Sequence, residues 1–335
     1  MPELEDPSVK ILKLLKRAKN QYVSGEELSN ILGMSRTAIW KRIDAIREEG
    51  FDVEAVTKKG YRLKDIPSGI GAPYGKLAVQ SEITGSFIGY NLRFLAETDS
   101  TNSVLKKMAS EGAPEGTVVL ADMQKAGRGR RGNAWMSAPG LGIWMSILLR
   151  PNLHPGTLQT LTLAASVAVM RALEPMGIKG LGIKWPNDIL IDRKKVCGIL
   201  TELLAEAEKV EWVVLGIGLN VNQSETDFPN DIASIATSLR LSMNIGFNRS
   251  LIAAKIINEI EEVYQAFLEK GSLWVVDEWK KRNITLGETV DIISQTGSFR
   301  AKALDITPDG KLIVKDEADK ISEVLSGEIS LRQTE

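Results

Sequence analysis

The chain has 335 residues, 43% of them hydrophobic, which is enough for two or three domains with real cores. Its 42 Lys and Arg nearly balance its 43 Asp and Glu, so no whole-molecule charge advertises nucleic acid, and any DNA-binding surface has to be local. One cysteine excludes an internal disulfide. One histidine, His154, beside that single cysteine excludes a His/Cys zinc cluster and argues against Ser-His-Asp or Cys-His catalysis, leaving Lys, Arg, backbone amides and a hard metal as the available chemistry.

The longest apolar runs, such as residues 143–149, fall far short of the ~20 residues of a membrane span. The acidic start (Glu3, Glu5, Asp6) lacks a charged-then-apolar signal segment, so a cytoplasmic protein with no membrane partner is expected.

Residues 8–19 read as an amphipathic helix with Val9, Leu12 and Leu15 on one face. Ser24-Gly25-Glu26-Glu27 is a capping box that opens a second helix, with Leu28, Ile31 and Leu32 facing inward and Gly33 ending it. Ser35 caps a third helix carrying Ile39, Ile43 and Ile46 on one stripe. Residues 51–56, a Lys58-Lys59-Gly60 turn and Tyr61-Arg62-Leu63 then read as a hairpin wing, giving a winged helix-turn-helix pattern. Residues 35–64 hold eight Lys/Arg and five Asp/Glu, a net of +3 in a chain of net −1. Ser35, Arg36, Thr37 and Lys41 stand at the start of the third helix, where base edges would be met, while Lys58, Lys59 and Arg62 on the wing suit phosphates. The alternative is a small helical module for dimerisation or docking. Trp40 reads as core or rim.

Residues 65–80 (Pro67, Gly69, Gly71, Pro73, Gly75) have linker composition. From residue 81 strand and helix signals alternate. Strands are expected at 92–95, 117–121, 143–149, 181–184, 188–191, 196–204 and 210–218, and helices at 102–112, 157–174 and 250–269. From Asn283 on, short strands at 289–293, 299–304 and 312–315, with Pro308-Asp309-Gly310 as a turn, suggest a small β-barrel. The expected division is 1–66 winged helix-turn-helix, 67–80 linker, 81–284 catalytic domain and 285–335 C-terminal barrel, a multidomain α+β protein.

Ala126-Gly127-Arg128-Gly129-Arg130-Arg131-Gly132 matches G-x-G-x-x-G, but a dinucleotide fingerprint needs a helix after the glycines. Pro139, Gly140 and Gly142 prevent one, and Ile143 to Leu149 reads as another strand, so the loop joins two strands. Three arginines in four positions on a glycine backbone suit phosphate or carboxylate; free, the segment should repel itself and stay mobile until an anion orders it. The bland alternative is a solvated basic surface loop.

Four further stretches settle the choice: Asp99-Ser100-Thr101-Asn102, expected to cap a helix at a strand end; Gln124; Lys184-Trp185-Pro186-Asn187-Asp188 followed by Lys194-Lys195-Val196-Cys197-Gly198-Ile199-Leu200-Thr201-Glu202; and Gly216-Ile217-Gly218-Leu219-Asn220-Val221-Asn222. With the Gly-Arg loop they resemble biotin protein ligases, and the chain ends match the bifunctional form that is also a biotin operon repressor.

The resemblance implies a central mixed, mostly antiparallel sheet of class II synthetase-like type, an SH3-like C-terminal barrel, and biotin, ATP and Mg²⁺ as ligands. It implies that Ser100, Thr101, Asn102, Gln124, Arg128, Gly129, Arg130 and Trp135 hold biotin or biotinyl-adenylate, with Lys195, Arg128 and Arg130 as the charged groups of the reaction. Lys184 (alternatively a structural partner of Asp188), Asn187, Asn220, Asn222 and Arg332, with the segment 223–238, are expected on the ATP side. Cys197 reads as a small buried hydrophobe. The implied partners are the biotin carboxyl carrier domain of a carboxylase, two-fold operator DNA and a second copy of the chain on ligand binding. Asn133 stands where related loops often carry a further Arg, which bears on the dimer more than on chemistry. Two rivals remain: a lipoate- or octanoate-type ligase, against which the DNA-binding head and the basic loop argue, and a repressor that senses biotin without transferring it.

Overall fold

The computed structural model describes residues 5–206, 209–294, 297–325 and 328–331. The N-terminal unit forms because each short helix is capped and each apolar stripe meets another. Asp6 accepts from Ser8 N–H at the start of α1 (Pro7–Arg17), Ser24 Oγ from Glu27 N–H at α2 (Gly25–Leu32), and Ser35 Oγ from Ala38 N–H at α3 (Arg36–Glu48). Each cap is worth ~1 kcal/mol. Leu12, Leu15, Leu28, Ile39, Ile43 and Ile46 are buried together. Ile31, expected inward, is 56% exposed, because this two-turn helix buries only Leu28 fully. β1 (Val53–Val56) and β2 (Gly60–Leu63) pair antiparallel as the wing. A Cβ at Gly60 would lie 2.1 Å from Val23 O, so only glycine lets the wing close on the segment before α2.

The linker composition conceals a helix. Lys76–Gln80 forms α4, in which Leu77 and Ala78 join the N-terminal core while Val79 joins the central one. Three apolar residues, Leu77, Ala78 and Val79, after a Gly/Pro run are too few for a helical period to register. Glu49, at the C-cap of α3, accepts from the Leu77 and Ala78 N–H groups and so caps α4 from another unit. Lys16 bonds Ser81 and pairs with Glu82, and Lys13 reaches Ile83 O. Head and body therefore share packing.

In the body β3 (Leu92–Thr98), α5 (Thr101–Ser110), β4 (Val118–Gln124), β5 (Gly142–Leu149), α6 (Leu158–Leu173), β6 (Leu181–Lys184), β7 (Asp188–Ile191), β8 (Lys194–Glu206), β9 (Lys209–Asn220), α7 (Leu239–Met243), α8 (Arg249–Lys270) and α9 (Ser272–Lys280) follow in order. The strands make a seven-stranded sheet, β3-β4-β5-β9-β8-β7-β6, parallel at β3/β4 and antiparallel elsewhere. α6 is apolar almost all round because α8 and α9 cover it on one face of the sheet. The other face receives α5 through Leu105, Ala109, Val119, Leu148 and Val214. α4, α7 and α9 were not expected from sequence.

The C-terminal unit is a small antiparallel β domain, with β10 (Thr289–Ser294), β11 (Gly297–Ile306), β12 (Leu312–Asp316), β13 (Ile321–Val324) and β14 (Glu328–Leu331) in the order β13-β12-β11-β10-β14. It is anchored to the body by Trp185, whose N–H donates to Thr285 Oγ1 at 2.9 Å and whose Nε1 donates to Gly310 O at 3.0 Å. The Trp185–Pro186 peptide is cis. Among the described residues, no helix is long and apolar enough to cross a membrane.

One buried carboxylate organises the entry to the sheet. Glu261 on α8, 4% exposed, accepts from Ser86 N and Oγ, Phe87 N and Ile88 N. Burial works against its ionisation, but these four donors outweigh it and hold the carboxyl below the ordinary range. The folded protein thus binds this proton less tightly than the unfolded chain does. Its stabilisation is present above the ordinary carboxylate range and is lost as pH falls through the lowered pKa. Glu261→Gln should cost ~1–3 kcal/mol at pH 7, since the amide turns a donor toward other donors. In denaturant titrations the deficit should shrink as the solution is acidified.

Candidate active site

The site lies on the α5 face of the sheet, at a place where strand register removes side chains. Across β5, β9 and β8, Trp144 pairs with Gly218 and Gly218 with Gly198, while Ser146 pairs with Gly216 and Gly216 with Leu200. The three glycines leave room for groups arriving from outside the sheet. A Cβ at Gly216 would lie 2.4 Å from Asn102 Oδ1, and one at Gly218 would lie 2.5 Å from Trp135 Nε1. The remaining cavity is about 110 Å³, and the Trp135 ring closes over its Gly198–Gly218 side.

One end of the cavity is neutral and polar. Ser100 occupies the N-cap of α5 but makes no side-chain capping bond, contrary to expectation. The cap comes from β4 instead: Gln124 Oε1 accepts from Thr101 N–H at 2.8 Å, while its Nε2 donates to Ser137 Oγ at 2.9 Å. Asn102 Nδ2 donates to Glu202 Oε2 at 2.7 Å, and its Oδ1 lies 2.6 Å from Ser146 Oγ. Sequence reading missed Ser146 and gave Glu202 no role. The available signal was a lone hydroxyl in the apolar run Ile143 to Leu149, and a glutamate closing the Lys194–Glu202 stretch.

The other end is cationic. Lys195 Nζ sits 2.7 Å from Asp188 Oδ1 and 5.2 Å from the Trp135 ring centroid, and Lys184 Nζ is 3.9 Å from Asp188 Oδ2. Asp188 thus lies between two lysines, with Lys195 the closer. The Gly-Arg loop is folded on itself rather than held as a free coil. Trp135 N–H donates to Gly127 O, Gly129 N–H to Asn133 O, and Arg128 bridges Ala134. Its arginines fan outward. Arg130 Nη1 donates to Asn187 Oδ1 at 3.1 Å, Arg131 Nη1 to Ile293 O of β10 at 2.8 Å, and Arg128 lies close enough to Glu202 to favour its ionised form. Among the described residues, Arg128, Arg130, Arg131, Lys184 and Lys195 line the cavity beside the carboxylate of Asp188, a lining suited to an anion.

Every residue expected to hold biotin lines this one cavity, together with Lys184 and Asn187. Asn220 lines an adjoining, more apolar hollow of about 470 Å³, shared with Trp135 and Lys195 and walled by Phe228, Ile232 and Ile235. The 223–238 segment docks here: Lys195 N–H donates to Ile235 O, and Thr237 N–H to Lys195 O. Asn222 stands apart, its amide donating to Phe247 O and accepting from Phe247 N–H. Arg332 lies outside the described residues. Cys197 is fully buried, which pushes its thiol pKa up and makes it a packing residue.

In the head, Arg36, Thr37 and Lys41 are exposed at the start of α3, with Arg36 paired to Glu26 at 3.0 Å. Arg36, Lys58 and Lys59 line one groove between the helices and the wing. Arg62 is instead bound to Glu54 and stacked 4.8 Å from the Tyr22 ring, inside the wing's own structure. Trp40 is 53% exposed, on the rim.

Residues 94–220 match the Biotin/lipoate A/B protein ligase family, residues 9–62 an HTH domain, and residues 285–332 the Biotin protein ligase C terminal domain. The chain is 37% identical over 321 residues to the Bifunctional ligase/repressor BirA of Bacillus subtilis (strain 168), covering 96% of this chain and 97% of that one. The chain belongs to the bifunctional biotin ligase/repressor family. It is also 29% identical over 332 residues to the BirA of Escherichia coli (strain K12), covering 99% of this chain and all of that one (100%). Among solved structures, the ligase resembles a biotin protein ligase from Aquifex aeolicus in complex with biotin and ATP, with a TM-score of 0.62 at 33% identity over 73% of this chain and 99% of that chain.

The glycine floor of the ligase yields a direct test. Asn102 is pinned by Ser146 and Glu202 and cannot swing away from a new methyl group, so Gly216→Ala should weaken biotin binding at least about tenfold, ~1.4 kcal/mol. Isothermal titration would check this, with thermal unfolding alongside to separate lost binding from the overpacking cost at the same site.

Proposed function

We propose that this cavity joins biotin to ATP and then to a lysine of a biotin carboxyl carrier domain, and that the same ligand makes the protein a dimeric repressor. The observation that carries this reading is a neutral hydrogen-bonding cup and a cluster of cations meeting in one cavity roofed by an indole.

The chemistry divides along those two ends. The ureido head of biotin, a neutral donor–acceptor group, fits the cup formed by Ser100, Thr101, Asn102 and Gln124. Its carboxylate then points toward Lys195, where it must approach the α-phosphate of ATP, a second anion. Lys195, Arg128 and Arg130 offset that repulsion. A carboxylate oxygen attacks the α-phosphorus, pyrophosphate leaves, and the mixed anhydride forms. Mg²⁺ travels with the nucleotide as part of the substrate and offsets phosphate charge. Trp135 keeps water from the anhydride until the ε-amine of an acceptor lysine attacks the acyl carbon and AMP departs. Lys184, Asn187, Asn220 and the hollow beside segment 223–238 serve the nucleotide, and the family resemblance alone assigns Arg332 to the same ligand. Asn222, expected on the same side, is tied to Phe247 and lines neither hollow.

Without acceptor, retained adenylate would favour a dimer whose two heads meet a two-fold operator, each through Ser35, Arg36, Thr37 and Lys41 at α3 and Lys58 and Lys59 on the wing. The ligand promotes DNA binding only to the extent that it binds the dimer more tightly than the monomer. The working domain division remains 1–66, 67–80, 81–284 and 285–335, with α4 inside the connecting segment.

ATP–pyrophosphate exchange with biotin, lipoate and octanoate offered separately tests the ligase reading. Exchange with biotin is expected, and exchange confined to a linear acid would overturn the substrate assignment. Arg130→Gly removes a cation and its bond to Asn187, so the adenylate should escape early and label amines indiscriminately. Retention equal to the parent's would refute that role for the loop. For the head, Lys58→Ala with Lys59→Ala should weaken operator binding and flatten log Kd against log salt by roughly 0.9 per lysine, leaving exchange intact.

A further inference from the structure

Glu202 lies outside the cavity lining, yet it ends a hydrogen-bond chain that runs into it. Its Oε1 takes Lys106 Nζ at 2.6 Å and its Oε2 takes Asn102 Nδ2 at 2.7 Å, both partners on α5. From Asn102 Oδ1 the chain continues to Ser146 Oγ at 2.6 Å and from there to Thr101 Oγ1 at 2.7 Å. Ser146 and Thr101 are buried, so water does not complete these bonds.

Counting protons gives this chain a direction. A carboxylate only accepts, so Asn102 must turn Nδ2 to Glu202 and Oδ1 to Ser146. Amide oxygen only accepts, so Ser146 spends its single proton on Asn102. The short Ser146–Thr101 contact then requires the Thr101 proton. Gln124 Oε1 is already served by Thr101 N–H at 2.8 Å, shorter than its 3.1 Å separation from Thr101 Oγ1. The Gln124 amide is held the same way round, because Ser137 Oγ, which itself donates to Trp135 O, accepts from Gln124 Nε2. Thr101, which lines the cavity, thereby has no proton left to offer a ligand and can only accept. Burial works against ionisation of Glu202, but Lys106 and Asn102 outweigh it and keep its carboxyl below the ordinary range, so the sense of the chain is fixed at neutral pH.

We propose that Glu202 is a positioning residue for substrate selection: it orients Asn102, Ser146 and Thr101 so that the cup presents acceptors, and the site favours an acid whose distal end carries N–H donors, a cyclic urea, over one with an apolar tail. This rests on the biotin-ligase reading above. Glu202→Gln keeps shape and volume but lets the end of the chain donate. Asn102 then has no reason to hold one orientation, and Thr101 can turn a proton into the cup.

The experiment is steady-state ATP–pyrophosphate exchange on the full chain with biotin and with octanoate, for the parent, Glu202→Gln, Ser146→Ala and the double variant. Glu202→Gln should raise KM for biotin about tenfold, with kcat and KM for octanoate within about twofold of the parent. In the Ser146→Ala background, where the chain is already cut, Glu202→Gln should add less than about twofold. If Glu202→Gln proves unstable, Ser146→Ala alone should still raise KM for biotin selectively. Unchanged KM for biotin in Glu202→Gln, or equal effects with and without Ser146, would overturn the inference while leaving the ligase reading intact. A parent that exchanges with no biotin at all would overturn that reading, and the positioning role with it.

Discussion

Glycine in the interior of a strand weakens a sheet, because it costs backbone entropy and packs nothing against its neighbours. Here Gly198, Gly216 and Gly218 lie within the two longest strands of the sheet, and the register sets Gly198 beside Gly218. The vacated volume is taken by Asn102 from one side and Trp135 from the other. Both are polar or amphipathic groups brought to the sheet by segments outside it. The candidate site depends on this constraint. A floor without side chains admits a helix N-terminus and a loop to the same face, and the space between them is the cavity.

The same arrangement explains how so many cations can coexist. Lys184 and Lys195 are carried by β6 and β8, the strands flanking β7, and share its Asp188, which lowers the repulsion that two ammonium groups in a half-buried cleft would otherwise suffer. The loop arginines are dispersed to separate acceptors, Arg130 to an amide oxygen and Arg131 to a backbone carbonyl of the C-terminal domain. These bonds hold the loop in shape with its arginines lining the cavity. The C-terminal domain thus reaches the site through this carbonyl, through its anchorage on Trp185 next to Lys184, and through Ile329, which lines the cavity.

Much of the fold and site was legible in the sequence. The head announced itself through Ser24, Gly33 and Ser35, whose capping and terminating roles are local and need no partner to act. The cavity residues were found through stretches that carry chemistry: a Gly-Arg loop, Lys195 before a glycine, Thr101-Asn102 after a strand. What stayed hidden depends on distant partners. Ser146 reads as one more residue of an apolar strand until register sets it opposite Gly216 and under Asn102. The cap of α5 comes from Gln124, over twenty positions downstream, so no local motif encodes it. Asn222 looked like a site residue because it follows Gly216–Asn220, yet a turn of the chain aims it at Phe247.

The concealed helix α4 bears on how one polypeptide can serve two tasks. Its Leu77 and Ala78 belong to the head's core and Val79 to the body's, and Glu49 of the head caps its N-terminus. Swinging the head away would expose those apolar groups and take the acceptor from the Leu77 and Ala78 N–H groups. Such a joint resists reorientation far more than a Gly/Pro tether of equal length would. With the head held to the body, ligand in a cavity on the α5 face has little leverage over the conformation of the recognition helix itself. On the proposed reading its leverage lies in the surfaces it orders around the cavity, and hence in whether two bodies come together. In the proposed scheme the spacing of two fixed heads, and not a change within either one, is then what an operator would read.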